Sequence, residues 1–386
     1  MSTNEFRNLE LINPKYDSKL IDIIINLEKL RDRKLTGSTH PQIFFQLKEI
    51  FHILESIGSA RIEGNHTTIA EYIETKINDG PIVDEGIREI LNIEKSMAFI
   101  EENIVDNPIN RAFISELHKM VVEGLSPPPN GEGDLTPGLY RTRNVGITGA
   151  NHIPPDQILV SEYMDDLINF INTDHSQKYD LIKTALAHHR FVWIHPFTNG
   201  NGRTVRLLTY AMLVKQGFNV NVGRILNPTA IFCSNRDDYY AFLSGADSGE
   251  YDGIENWCIY VLMGLKEEIE KIDRLIDYQY LKAEILMPSL KLAHKREYIT
   301  NIEFAILKRA VDLSVIQSSD IDDIVQSKNP SERSRQISNL ITKKMLRVEK
   351  PSKRKYIIDF SNSNLFRTIM EILDEKGFLP IKDTPK

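Results

Sequence analysis

His195-Pro-Phe-Thr-Asn-Gly-Asn-Gly-Arg-Thr-Val-Arg206 is the stretch on which the reading of this chain turns. It places a titratable histidine, a glycine-rich turn and two arginines three residues apart in one short segment. Gly200 and Gly202 tolerate positive φ and let a ligand approach the main chain closely. From Arg203 onward, Arg-Thr-Val-Arg-Leu-Leu-Thr-Tyr-Ala-Met-Leu-Val has a helical pattern. The Gly-Asn-Gly turn therefore falls at a helix N-terminus, where unpaired N–H groups and the helix dipole favour an anion. Arg203 and Arg206 lie on nearly one helix face and can reach the same polyanion. The segment reads as a phosphate cradle with a histidine at its lip. With an ordinary pKa near ~6.5, His195 can take the proton of an incoming hydroxyl, while Asn201 and the main-chain amides stabilise charge at phosphorus. Phe197 reads as a core anchor for the loop. His188 and His189 lack the His-Glu-x-x-His spacing of a zinc site.

The surroundings are those of an ordinary soluble protein. The chain has 386 residues and 41% apolar content, enough for two or three domains. Neither a membrane span nor a signal-type N-terminal segment is expected, and Cys233 and Cys258 form no framework, which suits a reducing cytoplasm. The net charge of −7 is uneven: Lys328 to Lys355 holds ten basic residues against Glu332 and Glu349. That asymmetry restricts any nucleic-acid contact to the C-terminal end.

The fold expected is mainly α. Helical spacing runs over Leu20–Leu35 and Pro41–Ile62, the latter stopped at Gly64-Asn65. Thr68-Ile-Ala-Glu71 forms a capping box for a helix closed by Asp79-Gly80-Pro81, and another helix covers Asp84–Glu102. Ile109–Glu123 precedes a Pro-Pro-Pro-Asn-Gly-Glu-Gly loop. Asn144-Val-Gly-Ile-Thr and His152-Ile-Pro-Pro flank turn residues and read as a small hairpin, cut short by Pro154 and Pro155. Helices are then expected at Ile158–Asn172, Asp180–Ile194, Asn235–Asp247 and Ile254–Leu286. Near Met287-Pro288 the chain changes character. Helices at Ile302–Val311, Ser319–Gln326 and Ser331–Met345, then strands at Leu346–Glu349 and Tyr356–Phe360, make a winged helix-turn-helix. The domains expected are 1–105 (with a helix at about 41–64), a core at 106–286 and a winged-helix module at 287–386.

The twelve-residue run resembles the signature of the Fic family, His-x-Phe-x-acidic-Gly-Asn-Gly-Arg-x-x-Arg. The resemblance covers about residues 40 to 285, most densely 138 to 247. It implies a Fic-type helical core with a hairpin flap, and protein adenylylation: transfer of AMP from ATP to a Ser, Thr or Tyr hydroxyl of a target protein. Some relatives transfer UMP or phosphocholine instead. By this resemblance His195 is the base. Gly200, Asn201, Gly202, Arg203, Thr204 and Arg206 hold the nucleotide, with flap residues Gly149, Ala150, Asn151 and His152, and Tyr239 and Asp247 border the adenosine. Asn199 stands where the family has an acidic Mg²⁺ ligand. An amide oxygen can ligate a hard cation but carries no charge, so weaker Mg²⁺ binding is expected.

Ser59-Ala-Arg-Ile-Glu63-Gly64-Asn65 resembles the family's inhibitory motif. Arg206 can pair with a carboxylate or with the γ-phosphate, so Glu63 would compete with ATP for it. In some members this glutamate also supports removal of AMP. The 145–155 hairpin, preceded by Gly138-Leu-Tyr-Arg141, matches the flap that aligns a target segment by β-addition. A dimer that clamps the brake is also compatible with the resemblance. The rival reading is a winged-helix DNA-binding regulator in which the Fic core is a weak or regulatory nucleotide-binding unit. There, Arg333, Arg335 and Gln336 of a recognition helix would contact DNA.

Overall fold

The computed structural model describes residues 9–32, 38–77, 84–147, 149–218, 226–325, 330–352 and 354–379. The expected helix end at Leu35, the stop at Asp79-Gly80-Pro81, Thr148 of the hairpin, Gln326, Lys328 and Lys353 lie outside these residues. The chain divides into two compact units. One comprises residues 1–35, 52–67 and 80–270, and the other comprises 36–51, 68–79 and 271–386.

The first unit is helical: α1 (Lys19–Asp32), the second half of α2 (Pro41–Ile62), then α4 (Glu85–Asn103), α5 (Arg111–Val122), α6 (Val160–Asn172), α7 (Asp180–Ile194), α8 (Asn201–Lys215), α9 (Thr229–Ser234), α10 (Arg236–Gly245) and most of α11 (Tyr251–Asp273). α3 (Ile69–Ile77) belongs to the other unit. The core is the pair α7 and α8. α6 packs on α7, and α4 and α5 pack on α8. Both central helices are buried on every side, including Ala185, Leu186, Ala187 and Phe191 of α7 and Val205 to Val214 of α8. Alongside these apolar positions, charged Arg190 of α7 and Arg203 and Arg206 of α8 are buried too. Local signals agree with the ends. Asp84 caps α4 by accepting from Ile87 N at 2.9 Å, and Asn110 caps α5 by accepting from Phe113 N at 2.9 Å.

The second unit holds α3, whose Thr68–Glu71 capping box forms as expected, with Thr68 N on Glu71 Oε2 at 2.8 Å and Glu71 N on Thr68 Oγ1 at 3.2 Å. It continues through α12 (Tyr278–Tyr280), a π-helical stretch Leu281–Leu286, α13 (Met287–Lys295), α14 (Asn301–Leu313), a 3₁₀ turn Ser318–Ile321, α15 (Pro330–Thr342), β1 (Leu346–Val348), β2 (Tyr356–Ile358) and α16 (Ser363–Glu375). The strands pair antiparallel with Arg347 opposite Ile357, and an isolated bridge joins Ile316 to Tyr356. α13 packs on α14 and α16, α14 on β2, and α15 on β1. The order of helices followed by a two-stranded ladder is the order read from the sequence.

Two helix expectations are corrected. The single helix expected over Ile254–Leu286 is broken after α11, because Asp277 leaves the helical region and caps α12, accepting from Gln279 N at 2.8 Å and Tyr280 N at 3.2 Å. The helix expected at Ser319–Gln326 is only the 3₁₀ turn, in which Gln317 N bonds Asp320 Oδ2 at 2.7 Å. Short acidic side chains there compete for the main chain and stop propagation. Among the described residues, no helix is long and apolar enough to cross a membrane.

Candidate active site

The site is built on the turn between α7 and α8. α7 ends at His195, which adopts a left-handed conformation (φ 51°) and returns its N–H to Phe191 O at 3.0 Å. A non-glycine residue in this region is unusual, and here it is the one that carries the imidazole. Pro196 then prevents the helix from continuing. The turn closes at Gly200 (φ 73°), where a Cβ would crowd Val122 and His118. His195 is half-buried, and burial is the main reason its pKa is pushed down to about 4; the Val192 main chain raises it, Arg141 lowers it further, and Glu63 raises it. The ring is therefore neutral at physiological pH, the form that can accept a proton.

Asn201 does something other than the sequence suggests. Its amide is committed to the turn, with Phe197 N donating to Oδ1 at 2.9 Å and Nδ2 donating to Phe197 O at 2.9 Å. It shapes the cradle, and the N–H groups at the start of α8 are the donors left for an anion. Thr204 Oγ1 donates to Gly200 O at 2.8 Å and locks the same turn.

The two arginines have different surroundings. Arg206 is fully buried and gives Nε to Ser59 Oγ at 2.8 Å, and one terminal nitrogen to Ser59 O at 2.9 Å and Glu63 Oε1 at 2.6 Å. Burial by itself would raise the Glu63 carboxyl, but Arg206 and then Arg203 outweigh it and hold it below the usual range. The same carboxylate lies so close to Gly202 that a Cβ there would collide with it. Gly64 (φ 102°) ends the helix one residue later. Arg203, fully buried, bonds Glu89 Oε1 at 2.8 Å and the Glu132 carbonyl at 2.6 Å. The guanidinium expected on phosphate is in this state occupied by protein acceptors.

Several residues that organise the site carry no sequence signal of their own. His118 is buried, stacked on Phe197 with ring centroids 3.7 Å apart. Its Nδ1 accepts from Gly138 N at 2.8 Å, so Nε2 carries the hydrogen and donates to Asn199 O at 3.0 Å. Burial, partly opposed by Asn199 and Asp134, pushes its pKa down to about 4. Asp134 accepts from Asn199 N at 3.1 Å. Asn199 Nδ2 donates to Glu132 Oε2 at 3.3 Å and to Gly133 O at 3.2 Å, so the acceptor end of its side-chain amide is Oδ1. Arg141 bonds the carbonyls of His195, Arg143 and Pro155 at 2.9, 3.1 and 2.6 Å.

The flap is not a hairpin ladder. The described parts of residues 144–155 contain no strand, and the turn at its tip is marked by Gly149 (φ 79°) and Ala150 N on Ile147 O at 3.2 Å. Pro154 and Pro155 supply no N–H, so the arms are joined through side chains: Asn144 Oδ1 accepts from Gln157 N at 2.9 Å, beside the Arg141 bonds. Ala150 and Asn151 are exposed, while His152 Nε2 is anchored to Trp193 O at 2.8 Å. Tyr239 is buried in an aromatic cluster with Phe232 and Trp257, and its hydroxyl lies 3.0 Å from His188 Nε2. Asp247 lies 3.1 Å from His189 Nε2.

Residues 108–213 match the model of the Fic/DOC family and form a Fic/DOC family domain. The Protein adenylyltransferase Fic of Drosophila virilis is 34% identical over 205 residues, 52% of this chain and 38% of that protein. That of Drosophila melanogaster is 34% identical over 205 residues, covering 52% of this chain and 37% of its own length. The chain thus spans well under half the length of these curated relatives. Among solved structures, a Fic family protein from Desulfovibrio desulfuricans G20 aligns with a TM-score of 0.54 at 18% identity, over 90% of this chain and 98% of its own. Fic-1 from C. elegans aligns with a TM-score of 0.53 at 21% identity, over 68% and 72%. These two share the fold.

Proposed function

We propose that this chain is a protein adenylyltransferase held in check by Glu63. One observation carries the reading: a carboxylate of the chain itself lies against Gly202 at the α8 N-terminus and on Arg206. This is where a helix start and a guanidinium favour phosphate. Glu63 occupies Arg206 and the space beside Gly202, so it must leave for the terminal phosphate of ATP to bind in the productive pose.

With Glu63 displaced, the main-chain N–H groups of the first turn of α8 cradle the phosphates and Arg206 neutralises the distal ones. A Ser, Thr or Tyr hydroxyl of a target protein, aligned along the 145–155 flap, gives its proton to neutral His195. Its oxygen then bonds the α-phosphorus while the bridge to the β-phosphate breaks, and pyrophosphate leaves with the bond electrons. No side chain becomes covalently modified, and positioning and electrostatics lower the barrier. Asn201 and Thr204 act by holding the turn in shape. Asn199 Oδ1 is a hard oxygen donor of the kind that suits Mg²⁺ and would hold it, while the nearby Glu132 carboxylate accepts from the Asn199 amide nitrogen. When bound, the ion supplies positive charge to the phosphates.

The test is mass mapping of Glu63→Gly after incubation with each nucleoside triphosphate in turn. An AMP adduct on a hydroxyl, formed from ATP and absent in Glu63→Gly/His195→Ala, is the expected result. No adduct with any of the triphosphates would overturn the reading.

A further inference from the structure

The Arg141 guanidinium is almost fully buried and faces main-chain oxygens, not a carboxylate. Nε donates to His195 O at 2.9 Å, one terminal nitrogen to Arg143 O at 3.1 Å, and the other to Pro155 O at 2.6 Å and Ile194 O at 3.4 Å. Its own main-chain N–H donates to Pro196 O at 2.8 Å. Arg143 and Pro155 are the two bases of the flap, and Ile194 to Pro196 carry the histidine in its left-handed conformation. One planar, rigid donor set thus joins both arms of the flap to the backbone of the base. No pleated ladder across the described flap residues supplies that connection, and the prolines at 154 and 155 have no N–H with which to do so.

We propose that Arg141 is the positioning residue that sets the spacing between the acceptor segment on the flap and the His195 imidazole. The inference rests on the reading that the flap presents a target hydroxyl to His195. A guanidinium is suited to the task because its donors point in fixed directions. A lysine ammonium on a flexible stem cannot span the same four carbonyls. A misplacement of roughly 1 Å at such a site costs on the order of 10²-fold in rate. Arg141 also has an electrostatic consequence, because its charge is one of the influences that lower the His195 pKa.

The test uses the full chain in the Glu63→Gly background and reads transfer of label from α-labelled ATP to the protein itself, alongside affinity for a non-hydrolysable ATP analogue. Arg141→Gln is expected to slow labelling by roughly 10- to 100-fold while analogue affinity stays within about twofold. The acid limb of its pH–rate profile is expected to move to higher pH, since a charge that lowers the His195 pKa is gone. Arg141→Lys is expected to keep the limb near its original position yet restore the rate only in part. Unchanged labelling in Arg141→Gln would overturn the inference alone. Equal losses of labelling and analogue affinity, with the acid limb unmoved, would mean a general structural role and would overturn it too. Absence of labelling in the Glu63→Gly parent would instead remove the functional reading on which the inference stands.

Discussion

At the scale of the residue, His195 is defined by two conditions that act together. The left-handed helix end aims the ring out of α7, and burial keeps it neutral down to a pH of about 4. In the proposed role of base, His195 is expected to give a labelling rate in Glu63→Gly that is flat through neutral pH and falls only as the ring protonates near its lowered pKa. A pH–rate profile from pH 4 to 8 checks this, and an acid limb near 6.5 would contradict it. Replacing His195 by Ala is expected to cost roughly 10²- to 10⁴-fold in rate, the usual contribution of a positioned general base. Gly200 is the residue that closes the turn. Its φ of 73° and the crowding by Val122 mean that Gly200→Ala should lower stability by about 1–2 kcal/mol, seen as a fall in Tm. His195, Gly200, Ser59, Glu63 and Arg206 were legible in the sequence because each belongs to a motif with fixed spacing. Glu89, Glu132, Asp134 and His118 were not, since tertiary packing brings them to the turn from distant segments with no periodic signal. The role of Asn201 was misread for a related reason. An Asn in a glycine-rich turn can donate to a ligand or to its own loop, and only the fold selects Phe197 as its partner.

At the scale of the element, the site is a turn held from behind by α5. His118 reaches the main chain of both Gly138 and Asn199 and stacks on Phe197, so three segments meet on one imidazole. Because its pKa is lowered on folding, its contribution to stability is fully present above the unfolded value near ~6.5. That contribution is lost progressively as pH falls from about 6.5 to about 4. The account predicts that Tm falls over this range and that His118→Gln lowers Tm at pH 7 while flattening the acid slope; an acid slope identical to that of the wild type would contradict it. Helix existence was largely readable from apolar spacing and caps, as at Thr68–Glu71. The break at Asp277 and the collapse of Ser319–Gln326 to a 3₁₀ turn were not, because a single capping aspartate can outcompete helical spacing. The flap was overread as a hairpin: alternating residues suggested strands, and the two prolines removed the donors a ladder needs.

At the scale of the whole molecule, the Fic/DOC domain and the C-terminal elements answer to different signals. The basic segment suggested DNA, but the residues chosen as its readers are engaged by acids of their own unit. Arg335 bonds Glu332 at 2.9 and 2.7 Å, Gln336 bonds the same carboxylate at 3.0 Å, and Arg333 is paired with Asp322. Replacing Arg333, Arg335 and Gln336 together by Ala is therefore expected to leave any retardation of duplex DNA by the full chain unchanged at low salt. A loss of retardation would contradict this. In the other unit, Glu63 lies on Arg206 and against Gly202 at the α8 N-terminus, where the proposed function has it compete with ATP. The most direct measurement is the rate of label transfer from α-labelled ATP to protein by the wild type and by Glu63→Gly, with Glu63→Gly/His195→Ala as the blank. At least a tenfold higher rate is expected in Glu63→Gly, equivalent to about 1.4 kcal/mol of relieved competition, with the blank slower than Glu63→Gly by roughly 10²-fold or more. Equal rates in wild type and Glu63→Gly, or transfer undiminished by the loss of His195, would contradict it.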